Sequence, residues 1–162
     1  MPHAAISLVH VVAAICAIGV GSLVLAARKG TRTHRRLGWS YLGSMLLLDL
    51  TALQIYRLTG AFGPFHYAAI FSLATVLAGF VAARRRRPRG TWVRVHLLFM
   101  AWSYIGLLAA AASEIATRVP TAPFWPAVAG STLAVLLLGG IALARWQPRL
   151  LARHGAGGKG GP

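Results

Sequence analysis

Carboxylates are almost missing from this chain: its 162 residues contain two, Asp49 and Glu114, against seventeen Lys and Arg. That deficit excludes an acidic catalytic cluster and any surface laced with ion pairs. Cysteine is equally scarce. The lone Cys16 lies inside an apolar run, so no disulfide framework exists and its plain role is that of a small packing residue. Charge of either sign makes up only 12% of the residues, while 57% are hydrophobic and the mean hydropathy is +0.64. A water-soluble domain this short has too little interior to hide so much apolar surface.

What is present in abundance is long apolar sequence. A helix that crosses ~30 Å of hydrocarbon needs about 20 apolar residues, and five stretches qualify, at about 4–27, 37–58, 65–83, 92–117 and 124–144. All five are expected to be helices, because a backbone facing lipid has to satisfy its own hydrogen bonds. The expected fold is therefore an all-α integral membrane protein forming one domain over 1–154. A glycine-rich tail at 155–162 is expected to be disordered. The first span lacks a basic leader and is too long for a cleavable signal.

The basic residues sort themselves by segment. Five (Arg28, Lys29, Arg32, Arg35, Arg36) fall between spans one and two, six (Arg84, Arg85, Arg86, Arg87, Arg89, Arg94) between three and four, and four (Arg145, Arg149, Arg153, Lys159) after span five. Only Arg57 and Arg118 fall on the other side. The cytoplasmic preference of Lys and Arg then predicts an inner-membrane protein with its N-terminus outside and its C-terminus in the cytoplasm. These clusters abut apolar spans, so anionic lipid headgroups are the expected partner and nucleic acid is not, despite a formal net charge of +15.

The order His, Gly-Thr, His, Trp-Ser-Tyr, acid occurs twice. Gly30-Thr31, His34, Trp39-Ser40-Tyr41-Leu42-Gly43 recurs as Gly90-Thr91, His96, Trp102-Ser103-Tyr104-Ile105-Gly106, with His10 and His66 upstream and Asp49 and Glu114 downstream. The repeat predicts a four-helix bundle built from a duplicated hairpin, with span five added. A pseudo-two-fold axis along the membrane normal would set His10 against His66, His34 against His96, and Asp49 against Glu114. In span four, His96, Ser103, Ala110 and Glu114 share one helical stripe, which is expected to face the interior.

Three functions follow from these polar groups. Paired imidazoles near each surface suit two b-type haems, with His10 and His66 as the outer ligands and His34 and His96 as the inner ones, carrying electrons across the membrane to a redox partner. Alternatively, His10, Asp49, His66 and Glu114 in the outer half form a zinc site that activates water in a membrane hydrolase, although no His-x-x-x-His or Glu-x-x-His pair fixes two ligands on one helix. The third reading is a non-catalytic accessory subunit of a membrane complex or a small-molecule binder. There the histidines are rim or helix-contact residues, Glu114 pairs with Arg118 four residues on, and Trp39, Tyr41, Trp92, Trp102 and Tyr104 are anchors or packing residues. No catalytic residue is assigned by any motif.

The segments Arg28-Lys29-Gly30-Thr31-Arg32-Thr33-His34-Arg35-Arg36-Leu37-Gly38 with Tyr41, Gly60-Ala61-Phe62-Gly63-Pro64-Phe65-His66, and His96 through Trp102-Ser103-Tyr104 to Ser113-Glu114 and Arg118 resemble an uncharacterised bacterial family of small multi-span proteins, the domain of unknown function 2306. The resemblance covers most of spans one to four and leaves out span five and the tail. It implies that His34, His66, His96 and Glu114 lie in the family's motifs, and it implies no activity.

Overall fold

The computed structural model describes residues 2–56, 60–121 and 123–156, with side chains over 4–56, 60–121 and 123–152. Arg57, Leu58, Lys159 and positions 157–162 of the glycine-rich tail lie outside the described residues. Among the described residues five helices follow one another: α1 (Pro2–Ala26), α2 (Arg32–Ala52), α3 (Pro64–Arg85), α4 (Trp92–Ala116) and α5 (Phe124–Ala156). Among the described residues there is no strand. Four of the helices, α1, α3, α4 and α5, are long and apolar enough to cross a membrane. Although α2 matches them in length at 21 residues, Arg32, Arg35 and Arg36 at its start and Asp49 near its end dilute its apolar stretch. It also stops at Ala52, six residues short of the expected end of span two.

Local chemistry sets the helix boundaries. Gly30 and Gly90 adopt φ of 81° and 80°, a left-handed turn that L side chains resist, immediately before α2 and α4. Thr31 then caps α2, its side chain accepting from the His34 amide at 3.2 Å. Thr91 occupies the same place before α4 without a side-chain cap bond. At the end of α1, Lys29 folds back so that Nζ donates to the carbonyls of Val24 and Leu25, both at 2.8 Å. A cation there complements the helix dipole, while burial pushes the Lys29 ammonium below the usual lysine range.

The chain divides into two compact units, residues 1–80 and 81–162. In the first, α1 packs against α2, and its buried apolar side chains are Ala13 and Ala17 on α1, Tyr41, Leu42, Met45 and Leu48 on α2, and Ala69 and Val76 on α3. Trp39 meets Phe80 edge-on, with ring centroids 4.7 Å apart. In the second, α4 and α5 form an antiparallel pair. A Cβ on Gly139 would stand 2.7 Å from Ile105, and one on Gly140 would stand 3.3 Å from Trp102, so both glycines admit close approach. A hydroxyl cluster joins the other end, where Ser113 and Thr132 lie 2.8 Å apart and Ser131 donates to Ser113 at 3.2 Å. Leu133, Leu137 and Leu138 on α5 are 58 to 69% exposed. In water such a face would aggregate; in a bilayer it meets its own solvent.

Candidate functional site

The buried polar side chains of the first unit are Asp49 and Thr51 near the end of α2, His66 at the start of α3 and Thr75 farther along α3. His10 of α1 reaches Thr51 of α2, with Nδ1 3.1 Å from Oγ1. The Thr51 hydroxyl proton already points to the carbonyls of Leu47 and Leu48 at 2.8 and 2.9 Å. With that proton on the backbone, the Thr51 oxygen can accept from Nδ1 of His10, so a hydroxyl of α2 orients the imidazole of α1.

Asp49, 3% exposed, accepts from the Ser72 hydroxyl of α3 at 3.2 Å. An acid at this depth in an apolar helix is costly unless hydrogen-bonded, and Ser72 supplies a bond from the neighbouring helix.

His66 is held most tightly of the candidates. It is 2% exposed, with Tyr56 and Phe62 on its ring at centroid distances of 4.6 and 4.7 Å. The Gly63 amide donates to its Nδ1 at 3.1 Å. In Gly63-Pro64-Phe65-His66 the proline takes the first helical position and the side chain at the third reaches back to the cap amide, which is capping-box geometry with imidazole in place of a carboxylate. Because Nδ1 accepts, the neutral ring bears its proton on Nε2, and among the described residues that buried nitrogen has no hydrogen-bond partner. In this orientation His66 offers a donor, not the lone pair that iron or zinc requires.

The remaining candidates are His34 of the first unit and His96 and Glu114 of the second. His34 is half-buried in the first turn of α2, at the opposite end of the first unit from His10. His96 is half-buried near the start of α4, and Glu114 lies near that helix's end. Glu114 is 60% exposed and takes a 2.6 Å salt bridge from Arg118. Ser103 and Ser113, by contrast, are buried, so the inward face of α4 runs through them. Among the described residues no three His, Cys, Asp or Glu side chains converge as a metal ion needs. Cys16 is exposed beside an open apolar groove of about 640 Å³ between α1 and α2, whose lining includes no histidine.

The family model described as a predicted membrane protein, DUF2306, matches residues 7–151. The chain belongs to that family. The match takes the DUF2306 chain into α5 as far as Leu151, beyond the four spans that the quoted motifs cover, so most of the last helix is part of the family's unit. No curated protein and no solved structure matches it. Membership and the apolar helices together make the DUF2306 chain a multi-pass membrane protein. Sequence reasoning missed Thr51, Ser72 and Gly63, which fix the orientation of His10, Asp49 and His66. A Gly-Pro-x-His start to α3 was the readable signal for the last of these.

Proposed function

We propose that this DUF2306 protein is a redox protein of the bacterial inner membrane that moves electrons across the bilayer through b-type haem, with its N-terminus outside and its C-terminus in the cytoplasm. On this reading α2 also crosses, and the halves containing α1–α2 and α3–α4 descend from one hairpin. The matching φ angles of Gly30 and Gly90 ahead of α2 and α4 support that descent. The observation that carries the redox reading is the His10 to Thr51 contact at 3.1 Å, by which a hydroxyl of α2 orients an imidazole of α1. Haem, when bound, would supply one-electron chemistry, and His10 is the first candidate for the ligand role. His66 fits it only with its ring turned over, which gives up the Gly63 bond, so we assign it to helix capping before ligation. His34 and His96, each near the basic start of a helix, are the inner candidates.

A second reading is favoured by one specific observation: the polar candidates already bond within their helices or across helix contacts, His10 to Thr51, Asp49 to Ser72, His66 to Gly63 and Glu114 to Arg118. The first two join neighbouring helices and the last two hold single helices, as in a passive subunit. The visible spectrum of the full chain, expressed with haem supplied and extracted in mild detergent, separates the two. A Soret band that His10→Ala diminishes supports the redox reading. Colourless, monodisperse protein overturns it in favour of the passive subunit.

A further inference from the structure

We propose that the arginine-lined end of the α4–α5 pair is a binding site for the phosphate of an anionic phospholipid. The register of the pair establishes that end. Ser113 lies against Thr132, Ile105 against Gly139 and Trp102 against Gly140; continued for two more turns, it sets Arg94 level with Arg149. Arg145 precedes Arg149 by one turn, and the chain leading into α4 carries Arg84, Arg85, Arg86, Arg87 and Arg89. Every one of these arginines is exposed.

None of them has an acidic side chain to pair with in its own unit, because the unit's single Asp or Glu, Glu114, is near the far end of α4 and bridges to Arg118. Among the described residues they are left to anions other than this unit's side chains. The cations are arginine and not lysine: the chain holds two lysines among its seventeen basic residues. A guanidinium grips a phosphate with two parallel hydrogen bonds, which an ammonium cannot do.

Two further features favour a lipid over RNA or an acidic protein. Leu97 and Leu98 lie one turn beyond Arg94, and Ile141 and Ala142 one turn before Arg145, so these two arginines border the apolar faces of their helices. Trp146, 63% exposed, sits between those last two arginines in sequence, as an interfacial anchor does. The bilayer is the anion source that meets all these groups at once.

The test titrates the full chain in mild detergent with dioleoyl phosphatidylglycerol or dioleoyl phosphatidylcholine and counts bound lipid by native mass spectrometry. Wild type should bind the glycerol lipid at least about 10-fold more tightly. Each charge removed should weaken it about five-fold, so that R94Q/R145Q/R149Q loses on the order of 100-fold while R118Q, at the other end, loses none. Equal binding of the two lipids, or wild-type affinity in the triple variant, overturns the proposal. So does displacement of the lipid by equimolar inorganic phosphate, which would make the ligand a free anion, or binding of a single-stranded RNA that the lipid cannot displace. If the triple variant does not fold, wild type alone decides, because raising salt from about 50 to about 500 mM should abolish the preference for the anionic lipid.

Discussion

His10 and Thr51, on adjacent antiparallel helices, share a hydrogen bond of 3.1 Å between Nδ1 and Oγ1. The same threonine hydroxyl lies 2.8 and 2.9 Å from the Leu47 and Leu48 carbonyls of its own helix. The α2 backbone thus holds the hydroxyl that meets the imidazole of α1.

Thr51→Val keeps the shape and removes the acceptor. If His10 ligates haem, the variant should bind it 10- to 100-fold more weakly, with a stability cost of about 0.6 kcal/mol. Haem titration of purified protein, read at the Soret band, measures the first. Unchanged affinity would detach Thr51 from any ligand-orienting role.

His66→Ala removes the α3 cap and should cost about 1 kcal/mol. Gln at the same position can accept from Gly63 and should retain most of that stability. Thermal unfolding in detergent, followed by tryptophan fluorescence, should place the Ala variant about 2–4 °C below wild type and Gln between them.

Ser72→Ala leaves buried Asp49 without its donor, at a cost of about 1–3 kcal/mol. Asp49→Asn keeps an oxygen for Ser72 and should cost less. The reverse order in denaturation midpoints would mean that Ser72 is not the group that accommodates the acid.

Gly139→Ala forces a methyl to within 2.7 Å of Ile105 and should destabilise by about 1–3 kcal/mol. Ile105→Ala should partly rescue it, a coupling that a double-mutant cycle reads directly. Gly130 has open space around its Cβ position, and Gly130→Ala should be close to neutral.

Glu114→Gln breaks an exposed i,i+4 pair and should change stability by no more than about 0.5 kcal/mol. It should leave any haem spectrum untouched.

Helix number and class were legible because length and apolarity alone decide whether a segment can cross a bilayer, and α1, α3 and α4 start and stop within a few residues of the expected limits. The end of α2 was not legible. Leu53 and Ile55 continue the apolar pattern, but the helix stops at Ala52, since hydropathy carries no information on where backbone hydrogen bonds cease. The end of α5 was misjudged for the opposite reason. The expected boundary at Ala144 marks where arginine appears, yet the helix continues through Pro148 to Ala156, including the first two residues assigned to the tail. Among the site residues, burial of Asp49 followed from its apolar surroundings, and the Glu114 to Arg118 pair from four-residue spacing. The stripe through His96, Ser103, Ala110 and Glu114 was only partly legible: Ser103 is buried while Ala110 and Glu114 are exposed, because periodicity fixes a shared face but not which neighbour covers it.

The length of α5 has a practical meaning. Its 33 residues at ~1.5 Å each make a rod of about 50 Å, some 20 Å more than hydrocarbon alone can hold. Upright in a bilayer with Phe124 at one hydrocarbon edge, the helix would carry the twelve residues from Arg145 onward about 18 Å past the other. Spin labels stepped along it would pass from oil to water over three turns, and the depth at which their accessibility changes would give the height of the membrane plane on this molecule.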